Sequence, residues 1–393
     1  MRKYINYLAI LILIEVITGC VTEFIPDIGV DPDFYVVEGL ITDQPGRHSV
    51  KVSHSVPLGD EAVYEPISNC NVWISDDNNT KYVMEEAVAG TYQAPVDFSG
   101  IPGRKYTLHV EVTRFRAFPP YRREVFHTLK SFPVEMYPVP DIDSLYYEKV
   151  ELRTEDGFRF PGEGCQVLIN TTDPDAVCEY YRWDYTETWK ILAPSFPRSV
   201  NRLCWAIRES EDIIVKAVSS LNESRIERLP VKFISNESDR LLERYRIEVN
   251  QYSVGEDEFI YWSNLEKVME QSGSLYDRLP APISGNMYCS DDPGLQILGY
   301  FSASSKRSKV IYIDDTFDHL VDPYSECARD TIFKDPEGPF PPPGIFEADG
   351  KYYWILEAEL EQNPLYLIVT ENRACADCTV NGTTVRPDYW EDK

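Results

Sequence analysis

The sequence predicts a mainly β protein: a β-sandwich followed by a larger β-rich domain that carries one notable helix. Three observations predict it. The chain holds 26 Tyr, 17 Phe and 7 Trp among 393 residues, and aromatic side chains suit the pleated, half-buried surface of a strand. Short alternating runs recur between turns rich in Gly, Pro, Asn and Asp, the pattern of strands in series. One stretch, 253–277, carries a sustained helical period. A chain of 393 residues is expected to hold two or three domains.

The first 20 residues, MRKYINYLAILILIEVITGC, join Arg2 and Lys3 to a short apolar run and to Ile17-Thr18-Gly19-Cys20. A basic start, a short apolar core and small residues before a cut mark a secretory signal over 1–19. The run is too short, and wrongly flanked, for a comfortable membrane span. Its closing tetrapeptide resembles the bacterial lipobox, which implies cleavage before Cys20 and acylation of that cysteine. Several acyl chains anchor a protein to a bilayer where one is marginal. Glu15 inside the apolar run departs from the pattern. Val21 is not the aspartate that retains lipoproteins in the inner membrane of some Gram-negative bacteria. That implies the outer membrane, with the periplasmic or cell-surface face left open. Residues 20–33 read as a tether.

Strands are expected at 34–43 and 48–53. A hairpin is expected from 71–75 and 80–84 around Asp76-Asp77-Asn78-Asn79. GTYQAPVDF and GRKYTLHVEV follow, each a glycine leading into an aromatic-bearing strand. Short strands at such spacing imply a sandwich over 34–135, and the pattern resembles immunoglobulin-like or prealbumin-like sandwiches. Three prolines in 131–143 read as a linker. The second domain, 136–393, shows further β runs on both sides of a helix at about 256–272. Ser253 and Glu256 have capping-box spacing. Phe259, Ile260, Leu265, Val268 and Met269 can share one face, and Gly273 sits at a C-terminal cap position. GPFPPPG at 338–344 is a loop or a short polyproline segment.

The net charge of −27 is spread along the chain. It argues against nucleic acid, which needs a basic footprint, and against adsorption to anionic lipid; its ordinary role is solubility. Nine cysteines minus Cys20 leave eight: Cys70, Cys165, Cys178, Cys204, Cys289, Cys327, Cys375 and Cys378. An export signal places them in an oxidising compartment, where disulfides are the default, and the connectivity stays open. Cys375-Ala-Asp-Cys378 has C-x-x-C spacing but no second such pair and no nearby histidine. Disulfide bonding is therefore preferred over zinc or redox chemistry, and no cofactor is expected.

Three constellations could carry function. Tyr181, Trp183, Tyr185 and Trp189 share one parity of a strand, which makes them either a stacking platform for sugar rings or the aromatic core of the second domain. Asp314, Asp315 and Asp318, with His319 and Asp322, form an acidic cluster with oxygens that suit calcium or acid–base work, although the spacing matches no EF-hand. Trp390 either docks a terminus that would otherwise fray or anchors an interface. G-x-S-x-G, H-E-x-x-H and Walker signatures are missing.

The lipobox, FYVVEGLITD at 34–43, LYDRLPAPISGN at 275–286, LGYFSASS at 298–305 and CADCTVNGTTVRPDYW at 375–390 together resemble the DUF4249 lipoproteins of Bacteroidota. Members of that family are often encoded beside TonB-dependent receptors. The resemblance implies a non-enzymatic outer-membrane lipoprotein, held to the bilayer through Cys20, that partners such a receptor in nutrient capture or uptake. It supplies no catalytic residue. The other readings are a surface adhesin or glycan-binding lipoprotein using the Tyr181–Trp189 aromatics, and a hydrolase using the 314–322 cluster.

Overall fold

The computed structural model describes residues 34–55, 65–118, 121–152, 162–193, 201–218, 224–271, 283–322, 330–333, 353–360, 363–370, 372–375 and 377–392. The signal segment, Cys20, the tether, Gly273, Cys327 and the 338–344 loop lie outside them.

Alternation builds the first sheet. In the strand Asn71–Asp76, Val72, Ile74 and Asp76 are buried while the residues between them are not, as a period of two requires. The expected hairpin forms with Lys81–Val88. Asp76 holds its turn by accepting from the Asn78 and Thr80 backbone N–H groups at 3.0 and 2.8 Å, and it pairs with Arg104 at 2.6 Å. The sheet runs Met287–Cys289, Tyr121–Ser131, Lys105–Phe118, Asn71–Asp76, Lys81–Val88, Thr91–Gln93, Ser49–His54, Tyr35–Thr42, Ile297–Leu298. It curls so that its two ends share one core: Val37, Val50 and Val52 pack with Ile74, Leu108 and Leu129.

This order corrects the boundary expected at 135/136. Segments from beyond the helix return to the first sheet. Met287–Cys289 pairs with Tyr121–Ser131, and Ile297–Leu298 and Phe301–Ser304 run parallel to Tyr35–Thr42. The turn between the last two carries Gly299 at φ 88°. A Cβ there would meet the Val37 carbonyl oxygen at 2.2 Å, and a Cβ on Gly285 would meet the Gly299 oxygen at 1.6 Å. Glycine is needed at both places because another chain segment occupies the side-chain volume.

The second unit packs a three-stranded sheet, Ile142–Leu152, Gly162–Thr172 and Arg225–Ile234, against a five-stranded one. The latter has the order Leu203–Glu209, Tyr180–Leu192, Tyr245–Ser253, Lys306–Ile313, with Ile214–Ala217 also on Tyr180–Leu192. Val167 and Ile169 from the first meet Trp183, Tyr185, Ile247 and Val249 from the second. The two units join at a polar, buried seam. Ser253, Ser304 and Ser305 have no exposed surface. The Ser253 hydroxyl donates to the Tyr137 carbonyl and accepts from the Ser305 N–H. Arg307 spans the seam, reaching Asp43 at 2.9 Å and Asp141 at 3.1 Å.

A separate three-stranded sheet joins Asp330–Phe333, Asn363–Thr370 and Tyr353–Leu360. The tail then docks on the five-stranded sheet. Cys378 is disulfide-bonded to Cys204, Thr383 bridges Trp205, and Lys190 pairs with Asp392 at 2.8 Å. Among the described residues no helix is long and apolar enough to cross a membrane.

Candidate functional site

The helix Glu256–Gln271 leaves the strand Tyr245–Ser253 and lies across the junction of the two units. Its orientation differs from the one its sequence predicts. Ser253 is the last strand residue and spends its hydroxyl on the seam, so it does not cap the helix. Ile260 and Met269 are 48% and 51% exposed, whereas Glu258 is 1% exposed. Phe259 is half-buried against Tyr180, ring centroids 5.1 Å apart. Among the described side chains of the helix the most deeply buried is thus a carboxylate, because the surface opposite it is polar.

That surface has two parts. From the first sheet comes Ser302, whose hydroxyl donates to Glu258 Oε1 at 2.6 Å; the Trp262 ring N–H donates to the same oxygen at 3.2 Å. Glu258 Oε2 is buried and has no hydrogen-bond partner. From the five-stranded sheet comes Arg182, on the outward parity of Tyr180–Leu192. Its guanidinium lies 4.7 Å from the Tyr252 ring centroid and 5.0 Å from that of Trp262, within cation–π range. Asp184 is 4.0 Å from Arg182, and accepts from Asn250 at 2.7 Å and from the Tyr252 hydroxyl at 3.2 Å.

Burial pushes the Glu258 carboxyl above its ordinary value; the Arg182 charge and the Ser302 and Trp262 hydrogen bonds oppose this and do not overcome it. Burial also raises the Tyr261 phenol, to about 12, with the Glu38 charge adding to it. The helix opens with Glu256, Asp257 and Glu258, a placement its N-terminal dipole favours.

Clefts surround these residues. One, about 620 Å³, lies between the first two helical turns and the first unit and is lined by Glu135, Tyr137, Asp257, Glu258, Tyr261 and Tyr300, among others. A second, about 290 Å³, shares Tyr261 and Tyr300 with it and adds Glu38, Lys51, Arg182 and Trp262. A third, about 240 Å³, shares Arg182, Asp184 and Trp262 with the second. Clefts at domain junctions with aromatic walls and a few fixed polar groups are where ligands bind. The arrangement is suited to hydrogen bonding, charge pairing and ring stacking.

The sites the sequence singles out lie elsewhere. Tyr181, Trp183, Tyr185 and Trp189 are between 1% and 5% exposed, so they form core and offer no stacking platform. The Trp183 ring N–H donates to Gln251 at 3.0 Å, and Arg240 covers the Trp189 ring at 4.2 Å. Between them on the same parity, Glu187 is buried too, accepting from the Tyr245 hydroxyl at 2.7 Å and from Arg240 at 2.9 Å. Trp390 is 2% exposed and packs edge-on to Tyr312, so it docks the tail and is not a free interface anchor.

The acidic cluster is dispersed among separate partners. Asp314 lies 3.3 Å from Arg244 and Asp315 lies 3.3 Å from Lys149, while the Asp318 backbone pairs with Glu163. Among the described residues no group of three or more His, Cys, Asp or Glu is arranged to hold a metal ion. The expectation of general disulfide bonding also needs correction. Cys204 and Cys378 are bonded to each other, and Cys375 is bonded to a partner outside the described residues. Cys70, Cys165, Cys178 and Cys289 are free thiols. Burial pushes Cys165 and Cys178 up to about 12, which leaves them inert.

Sequence reasoning passed over Arg182, Glu258, Tyr261, Trp262 and Tyr300. The available signal was the charged residue alternating with the aromatic run, which marks the outward face of Tyr180–Leu192. The neighbouring Tyr261-Trp262 pair inside the helical window was the other.

A family model described as "Domain of unknown function (DUF4249)" matches residues 21–310. The matched range contains the first β unit, the helix and its clefts, and the second unit up to the strand Lys306–Ile313, inside which it ends. No curated protein matches the chain.

Proposed function

Because the chain belongs to the DUF4249 family, we propose that it is a non-enzymatic outer-membrane lipoprotein, anchored through Cys20, that serves a TonB-dependent receptor in nutrient capture or uptake. The observation that carries the binding part of this reading is the helix seated at the junction of two β units with a buried carboxylate, beside a cleft of about 620 Å³. A helix retained only for packing would bury an apolar stripe. The signal-like start and the Ile17–Cys20 tetrapeptide support the anchor.

Two other readings find less support. Glycan binding through the Tyr181–Trp189 aromatics would need those rings at the surface. Hydrolysis by the 314–322 cluster would need two carboxylates free to act together, and Asp314 and Asp315 each face a different cation.

Affinity purification of the lipoprotein from its own detergent-solubilised membrane, followed by mass spectrometry, tests the proposal. A stoichiometric TonB-dependent barrel is expected. Recovery of the lipoprotein alone would overturn the receptor partnership.

A further inference from the structure

We propose that the cleft of about 290 Å³ beside the helix takes a small carboxylate carried on a ring, with the Arg182 guanidinium as the group that receives the acid. The inference rests on the reading of the helix-covered junction as a binding site and names its ligand class.

The state of Arg182 is the first argument. Its guanidinium is held by the Tyr252 and Trp262 rings, yet it makes no hydrogen bond among the described residues. Nε is buried without a partner. The Asp184 carboxylate stands 4.0 Å away, beyond hydrogen-bond range, and accepts from Asn250 and Tyr252 instead. Nε is sealed while 14% of the side chain stays exposed, so the two Nη groups open into the clefts that Arg182 lines. Paired N–H donors held in place by flanking rings match the two oxygens of a carboxylate.

Charge is the second argument. Arg182 and Lys51 line this cleft together with Glu38 and Asp184. Glu38 stands opposite Lys51 in register, which leaves Arg182 as the cation without a close counter-ion. Burial favours the neutral form of the neighbouring Glu258 carboxyl, so that group does not supply one. A singly charged acid completes the balance. A phosphate monoester, with nearly two charges, would meet Glu38 and Asp184 in excess.

The walls are the third argument. Tyr261 and Trp262 meet edge to face with centroids 5.2 Å apart, and Tyr300 lies 4.9 Å from Tyr261. All three line the cleft. Aromatic faces carry partial negative charge and attract C–H groups and ring edges, which suits either a sugar acid or an aromatic acid. The volume lies near the lower end for ligand pockets, the size of one such ring.

The test uses the full lipoprotein in detergent and titration calorimetry with galacturonate, phenylacetate and the methyl ester of each. At least one acid is expected to bind, and its ester, with the same ring and no charge, should bind about tenfold more weakly or worse, the scale of one charge-assisted contact. Which acid binds identifies the ring. Arg182→Gln should weaken the bound acid by a similar factor. Arg225→Gln, the same change on an exposed strand residue outside the clefts, should bind as the unmodified protein does.

If Arg182→Gln does not fold, Lys51→Gln on an exposed strand position should weaken binding severalfold. Failure of both acids to bind, equal binding of the esters, an equal loss in Arg225→Gln, or undiminished affinity in the folded cleft variant would overturn the inference. The receptor pull-down is read separately. A barrel that still copurifies when neither acid binds refutes the ligand class and leaves the partnership standing. An acid bound by a solitary lipoprotein does the reverse.

Discussion

Cys204 and Cys378 are joined across 174 residues, with Cα atoms 5.6 Å apart, and the bond ties the tail to the edge of the five-stranded sheet. Around it the tail adds a backbone bridge from Thr383 to Trp205, the buried Trp390 and the Lys190–Asp392 pair. Replacing both cysteines by serine is expected to cost about 2–5 kcal/mol, because a cross-link closing so long a loop restricts the unfolded chain strongly. A denaturant titration reads the loss. Limited proteolysis read on a reducing gel, since Cys375 holds a separate disulfide, should then cut the segment after residue 378 before the rest; a tail that stays protected would show that its remaining contacts suffice without the Cys204–Cys378 bond.

Gly285 and Gly299 lie within the range matched by the DUF4249 family model, and they meet each other. Gly285→Ala places a methyl 1.6 Å from the Gly299 oxygen. Gly299→Ala combines a positive φ with the Val37 backbone. Each is expected to destabilise by about 2 kcal/mol or more, since backbone must move. Thermal melts of the two single variants check this, and unchanged midpoints would refute the close approach.

Trp183 is core. Trp183→Ala should cost about 3–5 kcal/mol, the ordinary loss for a large buried aromatic, and should also strand the Gln251 acceptor. Trp183→Phe should cost less and leave any ligand affinity intact. A variant that folds normally but loses binding would return this ring to the functional surface.

Glu258 makes stability depend on pH in a direction opposite to most carboxylates. Burial raises its folded value above that of an ordinary glutamate. Its contribution is therefore fully present below the unfolded value and is lost as pH rises through the folded one. Glu258→Gln lacks this loss. Melting temperatures of the two proteins, compared from about pH 4 to pH 8, should diverge in favour of the variant as pH rises. A constant difference would mean that the carboxyl stays solvated.

Much of the fold is legible in local pattern. The 71–84 hairpin can be read from alternation and from Asp76-Asp77-Asn78-Asn79, because a turn and its flanking parity are properties of neighbouring residues. The existence of the helix near 256–271 is legible for the same reason. So is the shared face of Tyr181, Trp183, Tyr185 and Trp189, since period two fixes which side chains point together.

What lies against a face is not a local property. Period cannot say that the aromatic face meets a second sheet, so a platform and a core look alike until the packing is seen. The helix follows the same logic. Its apolar residues mark a stripe, but the polar seam of Ser302 and Arg182 draws Glu258 inward and leaves Ile260 and Met269 outside. Pairings across long separations decide the rest. The return of Phe301–Ser304 to Tyr35–Thr42 and the choice of Cys204 for Cys378 depend on contacts between segments remote in the chain. By itself the sequence determined the mainly β character, the local elements and the signal-like start. Tertiary structure alone decided which faces are buried and where the cleft lies, because burial is set by the surface that packs opposite.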